Sequence, residues 1–543
     1  MKPFKRFPKR SSIKKPENKG PSFVLTDEYK SIIKANAYLG KKGYTIPKIC
    51  LHNDDYEFLK KDLYMIPFTI GPSYGNAEDT SFPVYRENAA KIYLPRFYGI
   101  KRYGLPDESE ISEGEDIDIE FVKELRDYQT NVVNIYLKYV NTPICNHSEL
   151  TGNGGILELP CGYGKTVLSL KIIADLKKKT LILVHKEFLM NQWIERITEF
   201  MPSARVGKIQ GPIYEVEGKD IVIGMIQTLH SRDFPTEAFS PFGLTIIDEV
   251  HRIGSEEFSK TLLKTVTPYM LGISATVERK DRLTKILYMF IGEKIYTVDR
   301  KDDDQVNIMS IEFKTNDREF NETEYDFRGS PKYSTMITKL CEYGPRSDFI
   351  VSVIQDLLKT YPEKQIMVLA HNRALLTYLY DAVRHRISDN DETIGYYVGG
   401  MKEKDLKITE SKKIVLATYA MAAEALDIKT LSTLIMATPK TDIEQSVGRI
   451  LRTRGQNPIV VDIVDSHEYL KTQWSKRKAF YKKCNYKIFY TPSTKYRGFD
   501  PSTIDSWKVE YDPKQAKAIA LLGKQKCLIN LPKEIFEEDI TSA

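Results

Sequence analysis

Three groups of residues combine type and spacing in a way that allows chemistry. The first is Leu157-Glu158-Leu159-Pro160-Cys161-Gly162-Tyr163-Gly164-Lys165-Thr166. It reads as a strand, a glycine-bearing turn, and Lys-Thr opening a helix. Glycines let a backbone curl until several N–H groups point at one anion. A helix opening near Thr166 adds the positive end of its dipole. Such a loop, from Pro160 and Cys161 through Gly162, Tyr163 and Gly164, cradles nucleotide phosphates. Lys165 would then reach a nucleotide's β- and γ-phosphates, and the Thr166 hydroxyl would bind magnesium. Leu159 stands where such loops usually begin with glycine, so Gly162 and Gly164 carry the flexibility.

The second group is Ile246-Ile247-Asp248-Glu249-Val250-His251. An apolar strand ends in two adjacent acids. At the C-terminal edge of a parallel sheet they lie beside the phosphate loop. Asp248 suits Mg2+, and Glu249 suits orienting and deprotonating a water. The third group, Asp442 to Arg452, predicts a helix with Gln445, Arg449 and Arg452 on one face. Two arginines there fit fingers that reach a γ-phosphate across a cleft. Taken singly, each group has a plainer reading: a capped helix, a strand-end turn with solvated acids, a solvated basic face. Lesser elements are Leu125-Arg126-Asp127-Tyr128-Gln129, where Gln129 could pair with adenine's edge and Tyr128 or Arg126 stack on its ring, and Ser274-Ala275-Thr276, whose hydroxyls could bond His251 or Gln-type side chains. Thr418 ends a strand, and Asp427 could reach ribose or Arg449.

The elements that must position these groups alternate. Leu181–Val184, Ile221–Ile223, Leu244–Ile247 and Tyr269–Ile273 are apolar strands between amphipathic helices. Ile366–Leu369, Ile414–Ala417, Thr433–Met436 and Ile459–Asp462 repeat the pattern. Buried strands between helices imply parallel α/β sheets, two in tandem. Residues 1–20 predict a disordered basic tail, in which Lys2, Lys5, Arg6, Lys9, Arg10, Lys14, Lys15 and Lys19 face one acid, Glu17. Residues 21–115 predict a small, Tyr-rich accessory domain with strands near Pro83–Asn88 and Lys91–Arg96, closed by an acidic linker over Asp107–Asp116. The remaining divisions fall at 116–300, 301–344 as a polar linker, 345–485, and 486–543 as an extension.

Composition narrows the class. The chain has 543 residues, 41% hydrophobic and 28% charged, as in globular proteins. No apolar run reaches the roughly 20 residues that span a bilayer, so no membrane partner is expected. Six scattered cysteines without a C-x-x-C pair suit a reducing, intracellular compartment. A net charge of +6 is compatible with a nucleic-acid partner without requiring one.

As an ordered set, Leu-Arg-x-Tyr-Gln, Pro-Cys-Gly-x-Gly-Lys-Thr, Asp-Glu-Val-His, Ser-Ala-Thr, Ala-Leu-Asp-Ile and Gln-x-x-Gly-Arg-x-x-Arg resemble superfamily 2 helicases. The Leu-Pro-Cys-Gly form and Ile226-Gln227-Thr228-Leu229 are similar to a narrower branch. That branch holds repair and transcription-factor DNA helicases, phage recombination helicases and helicases of large DNA viruses. The resemblance covers roughly Val122 to Asp465. It implies two tandem RecA-like domains and ATP-dependent movement on nucleic acid, DNA before RNA. It implies adenine contacts at Arg126 and Gln129, and coupling through His251, Ser274 and Thr276. Gln445, Arg449 and Arg452 would complete the hydrolytic site, and Thr228 and Thr418 would lie on the nucleic-acid track. Transcription or repair proteins are implied partners, and a viral source would place the protein in the host nucleus or cytoplasm. Val277 replaces the proline usual after Ser-Ala-Thr, and Ala425 the glycine usual before Leu-Asp. Both departures bear on coupling. A duplex translocase that does not separate strands, an RNA helicase, and a nucleotide-gated scaffold subunit remain as alternatives.

Overall fold

Runs such as Thr180–Val184 and Ile414–Thr418 are too apolar to leave either face in water, and they lie inside two eight-stranded sheets. The computed structural model describes all residues except 1–23, 68–80, 144–152, 161, 236, 253–255, 280, 282, 299–305, 328, 388–391, 425–427, 429, 442, 444–446, 448–456, 501–504 and 517–543. It divides into two units, residues 1–158 with 166–297, and residues 159–165 with 298–543. The expected basic tail lies outside the described residues.

The first unit opens with α1 (Asp27–Asn36), whose N-terminus Thr26 caps by accepting the Tyr29 amide at 3.2 Å. Then follow β1 (Tyr38–Gly40), β2 (Gly43–Pro47), α2 (Asn53–Asp62), β3 (Tyr64–Met65), β4 (Phe82–Pro83), β5 (Arg86–Glu87), β6 (Lys91–Leu94), α3 (Arg96–Tyr103) and β7 (Glu108–Ser109). Five strands form one sheet in the order β5-β6-β2-β1-β7, and β3 pairs with β4. The acidic stretch read as a linker is ordered. β7 pairs with β1, and Lys178 and Lys179 bind Asp116 and Glu115 at 2.9 and 2.8 Å. Its charge is matched across the chain, which a local reading of acids does not reveal.

The elements of the first large sheet are α4 (Asp127–Val140), β8 (Gly154–Glu158), α5 (Lys165–Leu176), β9 (Thr180–Val184), α6 (Glu187–Phe200), β10 (Val206–Gln210), β11 (Ile213–Tyr214), β12 (Ile221–Met225), α7 (Ile226–Ser231), β13 (Leu244–Asp248), α8 (Glu256–Leu262), β14 (Tyr269–Ser274), α9 (Thr284–Ile291) and β15 (Lys294–Thr297). The strand order is β11-β10-β12-β9-β13-β14-β8-β15. Every neighbouring pair is parallel except β10 with β11. One hydrophobic core runs from Tyr44, Ile46 and Ile92 of the accessory sheet to Leu181 and Ile247 of the large one and Ile286 of α9. Arg96, 5% exposed, helps to join them by donating from Nη1 to the carbonyls of Thr267 and Pro268 at 2.9 and 3.0 Å.

The second unit contains β16 (Asn307–Phe313), α10 (Arg318–Asn321), α11 (Tyr333–Glu342), α12 (Gly344–Thr360), β17 (Gln365–Ala370), α13 (Arg373–Arg386), β18 (Ile394–Tyr397), α14 (Glu403–Glu410), β19 (Ile414–Thr418), α15 (Tyr419–Glu424), β20 (Leu431–Met436), β21 (Ile459–Asp465), α16 (Glu468–Lys483), β22 (Lys487–Pro492) and β23 (Lys508–Tyr511). The order is β18-β19-β17-β20-β21-β16-β22-β23, and only the β22–β23 pair is antiparallel. Two expectations change here. The 301–344 segment is more than a linker, because β16 lies between β21 and β22 inside the sheet. Ser310 and Glu312 interrupt its apolar pattern, yet both are buried. Likewise the sheet does not stop at 485, since β22 and β23 continue it. Arg346 with Asp465 and Arg477 with Asp462 form buried bidentate pairs that brace β21.

Candidate active site

β13, β14 and β8 are consecutive neighbours in the first large sheet, and their C-terminal ends are in register. Asp248 pairs with Ile273, and Ser274 with Glu158. Parallel strands direct ligands to this edge. The turn after β8 uses positive φ at Gly162 (80°) and Gly164 (88°), and Tyr163 N–H donates to the Pro160 carbonyl at 3.2 Å. α5 starts at Lys165, so Lys165 and Thr166 stand at the N-terminus of a 12-residue helix. Leu159 is fully buried, so that position serves the core rather than the cradle. Cys161 lies outside the described residues.

The acid pair ends β13. Asp248, 7% exposed, accepts the Glu249 amide on Oδ1 at 2.8 Å and the Trp193 indole N–H on Oδ2 at 3.0 Å. Trp193 on α6 is itself buried. Glu249 has φ of 50°, a left-handed conformation that costs a non-glycine residue about 1 kcal/mol or more. Strain of this kind concentrates at functional turns.

His251 follows in a short 3-10 turn. Its Nδ1 lies 2.7 Å from Ser274 Oγ and 3.3 Å from Glu249 Oε2. Ser274 Oγ donates to the Thr276 carbonyl at 2.5 Å, which leaves His251 Nδ1–H as the donor to Ser274. The strand-end hydroxyl therefore meets His251, as its size and position suggest. Arg279 adds a contact that sequence reasoning missed. It grips Asp281 with two nitrogens and donates from Nη1 to the His251 carbonyl. The Val277 amide donates to Glu158 Oε1 at 2.8 Å, a bond that proline at this position cannot make. Glu158 Oε2 also accepts from Lys294 at 2.9 Å and Thr297 at 2.8 Å. Burial opposes its ionisation, but these donors outweigh burial and hold its carboxyl below the usual range.

Other predicted residues are more dispersed. Gln129 Oε1 accepts the Arg126 amide at 3.0 Å at the start of α4, and Arg126 Nη1 donates to Tyr128 at 3.0 Å. Thr228 on α7 accepts the Gly211 amide at 2.9 Å. Thr418 ends β19 in the second unit. Asp427, Gln445, Arg449 and Arg452 lie outside the described residues.

A family model described as type III restriction enzyme, res subunit, matches residues 122–279. An Acanthamoeba polyphaga mimivirus protein named as an ATP-dependent RNA helicase is 35% identical over 460 residues, covering 82% of this chain and 85% of that protein. The chain belongs to the superfamily 2 helicases. It is related to viral and repair branches of that family and is an ATP-hydrolysing enzyme. An African swine fever virus protein, also named as an ATP-dependent RNA helicase, is 28% identical over 380 residues, 65% of this helicase and 72% of its own length. A protein of Sulfurisphaera tokodaii named as a DNA 3'-5' translocase is 31% identical over 208 residues, 37% of this helicase and 43% of its own length. Among the described residues no helix is long and apolar enough to cross a membrane.

Proposed function

We propose that this helicase moves along DNA by an ATP cycle centred on the C-terminal edge of β8, β14 and β13. The observation that carries the reading is the in-register ending of β8, β14 and β13, which sets Asp248 and the His251–Ser274 hydrogen bond at the edge from which β8 runs on into the glycine turn. Gly162, Gly164, Lys165 and Thr166 fit a triphosphate: two positive-φ glycines run straight into a helix N-terminus. Thr166 and Asp248 are the oxygen donors suited to Mg2+. Magnesium, when bound, neutralises charge on the phosphate oxygens. Trp193 and the Glu249 amide hold Asp248 in one orientation. Glu249 takes a proton from the attacking water. Arg126 and Gln129 contact adenine, while Gln445, Arg449, Arg452 and Asp427 serve the same nucleotide.

Coupling runs through hydrogen bonds already present. His251 is held by Ser274 and reaches Glu249, so a change at the acid alters a bond at the end of β14. Thr276 and Arg279 carry that change into the following segment. Thr228 and Thr418 touch the nucleic-acid backbone, which makes movement indifferent to sequence.

RNA is the second reading, because the relative matched over most of this chain is named as an RNA helicase. The Sulfurisphaera tokodaii relative, named as a DNA translocase, favours DNA over a shorter match. The test is ATPase stimulation by duplex DNA, single-stranded DNA and RNA, side by side. Greater stimulation by either DNA supports the proposal; stimulation by RNA alone replaces it with the second reading. Partners in transcription or repair, and action inside a host cell, belong to this proposal.

A further inference from the structure

The accessory sheet has one face in the core and one that is not. Leu39, Tyr44, Ile46, Ile92 and Leu94 point inward and are buried. On the other face the register sets Arg86 opposite Tyr93, Tyr93 opposite Thr45, and Thr45 opposite Tyr38. Lys91, two residues from Tyr93, shares that face. Lys42 stands at the β1–β2 turn with Nζ 5.1 Å from the Tyr93 ring centre. Thr45 at its centre is buried, Tyr38, Tyr93, Arg86 and Lys91 are half-buried, and Lys42 is exposed. This face interleaves two tyrosines with three cations.

The rings are held in place. Tyr38 lies against Gly40, where a Cβ would come within 2.9 Å of Tyr38 Cε2. Lys91 Nζ is 2.9 Å from the Tyr38 hydroxyl but 5.0 Å from the ring centre, so it sits toward the phenol rim. Asn88 donates to the Tyr93 hydroxyl at 3.0 Å. Lys42, Arg86 and Lys91 make no ion pair among the described residues, whereas nearby Glu87 is paired with Lys48 at 2.5 Å. The basic character continues toward α7. Burial, then the neighbouring Arg86 charge, keep the Lys264 ammonium below its ordinary value. Lys264 donates to the carbonyls of Leu229, His230 and Arg232 at 3.0, 3.2 and 3.0 Å, at the end of the helix that carries Thr228.

We propose that this face binds single-stranded nucleic acid, with phosphates on Lys42, Arg86 and Lys91 and bases stacked on Tyr38 and Tyr93. Unpaired cations complement phosphate, and flat tyrosines offer the stacking surface that unstacked bases use. A duplex hides its base faces and gains only the charge. The proposal rests on the nucleic-acid reading above and gives the accessory domain a defined role in it.

The test is fluorescence anisotropy on the full chain carrying Lys165→Ala, without ATP, using labelled oligo-dT, oligo-rU and a blunt DNA duplex. Combined Lys42→Ala, Arg86→Ala and Lys91→Ala should reduce the slope of log affinity against log salt by about 2 on single strands, at roughly 0.7 per phosphate contact. Tyr38→Ala with Tyr93→Ala should weaken single strands at least about fivefold and leave the duplex unchanged. Tyr93→Trp should keep the affinity, and its fluorescence should be quenched by oligonucleotide. The dT and rU arms show which sugar is preferred. Unchanged binding and slope in the triple variant, or no quenching in Tyr93→Trp, would overturn the proposal. Equal losses on duplex and single strands in the Tyr38→Ala, Tyr93→Ala variant would overturn it too. Stimulated ATPase of the unmodified chain is read separately: its absence alongside binding through this face would reject the motor reading and leave this one standing.

Discussion

The indole N–H of Trp193 donates to Asp248 Oδ2 at 3.0 Å, linking a buried helix residue to the acid at the end of β13. If Asp248 meets Mg2+ as proposed, a fixed orientation helps it, because supporting bonds commonly change metal affinity 10- to 100-fold. Trp193→Phe keeps most of the ring and removes the donor. The expected result is a rise of about tenfold or more in the Mg2+ concentration giving half-maximal ATPase. A magnesium titration of the purified variant checks this, and an unchanged midpoint would restrict Trp193 to packing.

Val277→Pro restores the residue usual in the family but deletes the N–H that reaches Glu158 at 2.8 Å. The expected cost is about 1–2 kcal/mol, read as a lower melting temperature. The pH dependence follows from the depressed Glu158 carboxyl. Its contribution is present above the ordinary carboxylate value of 4.5 and is lost as pH falls through the lower folded value. The variant should therefore lose less stability on acidification than the parent. Parallel acid-melting curves would contradict the assignment.

His371 gives a second pH window. Burial, then the Lys440 charge, lower it from 6.5 to about 4, and its Nδ1 lies 2.8 Å from Thr438 Oγ1. The unfolded chain binds more protons between those values, so stability rises with pH across the window. It is fully present above about 6.5 and is lost as pH falls toward 4. Melting of His371→Gln, compared with the parent from pH 7 to pH 4, should show a weaker dependence in the variant.

The accessory sheet shares a core with the first large sheet, so it should not behave as a detachable module. Each large side chain uncovered loses roughly 1.5–3 kcal/mol of burial. Removing residues 1–115 is expected to abolish cooperative melting. A truncated chain that melts cooperatively at the parent temperature would show the two parts to be independent.

Legibility in the sequence followed distance along the chain. The glycine turn after β8, the start of α5 and the end of β13 at Asp248 are each local in sequence, so type and spacing sufficed to read those elements. β16 escaped because Ser310 and Glu312 break its apolar pattern, and only its neighbours β21 and β22 show why they can be buried. The Trp193–Asp248 and Arg279–His251 bonds join residues 55 and 28 positions apart, and no local pattern announces them. Leu159 was legible only as a missing glycine; its burial supplies the reason.

The proposed function depends on ATP hydrolysis at the edge of β8, β14 and β13 in response to nucleic acid. ATP turnover with saturating single-stranded DNA, for the parent, Lys165→Ala and Glu249→Gln, tests it most directly. Turnover is expected in the parent, with a loss of at least about 10³-fold in both variants and nucleotide binding retained in Glu249→Gln. Parent-like turnover in either variant would contradict it.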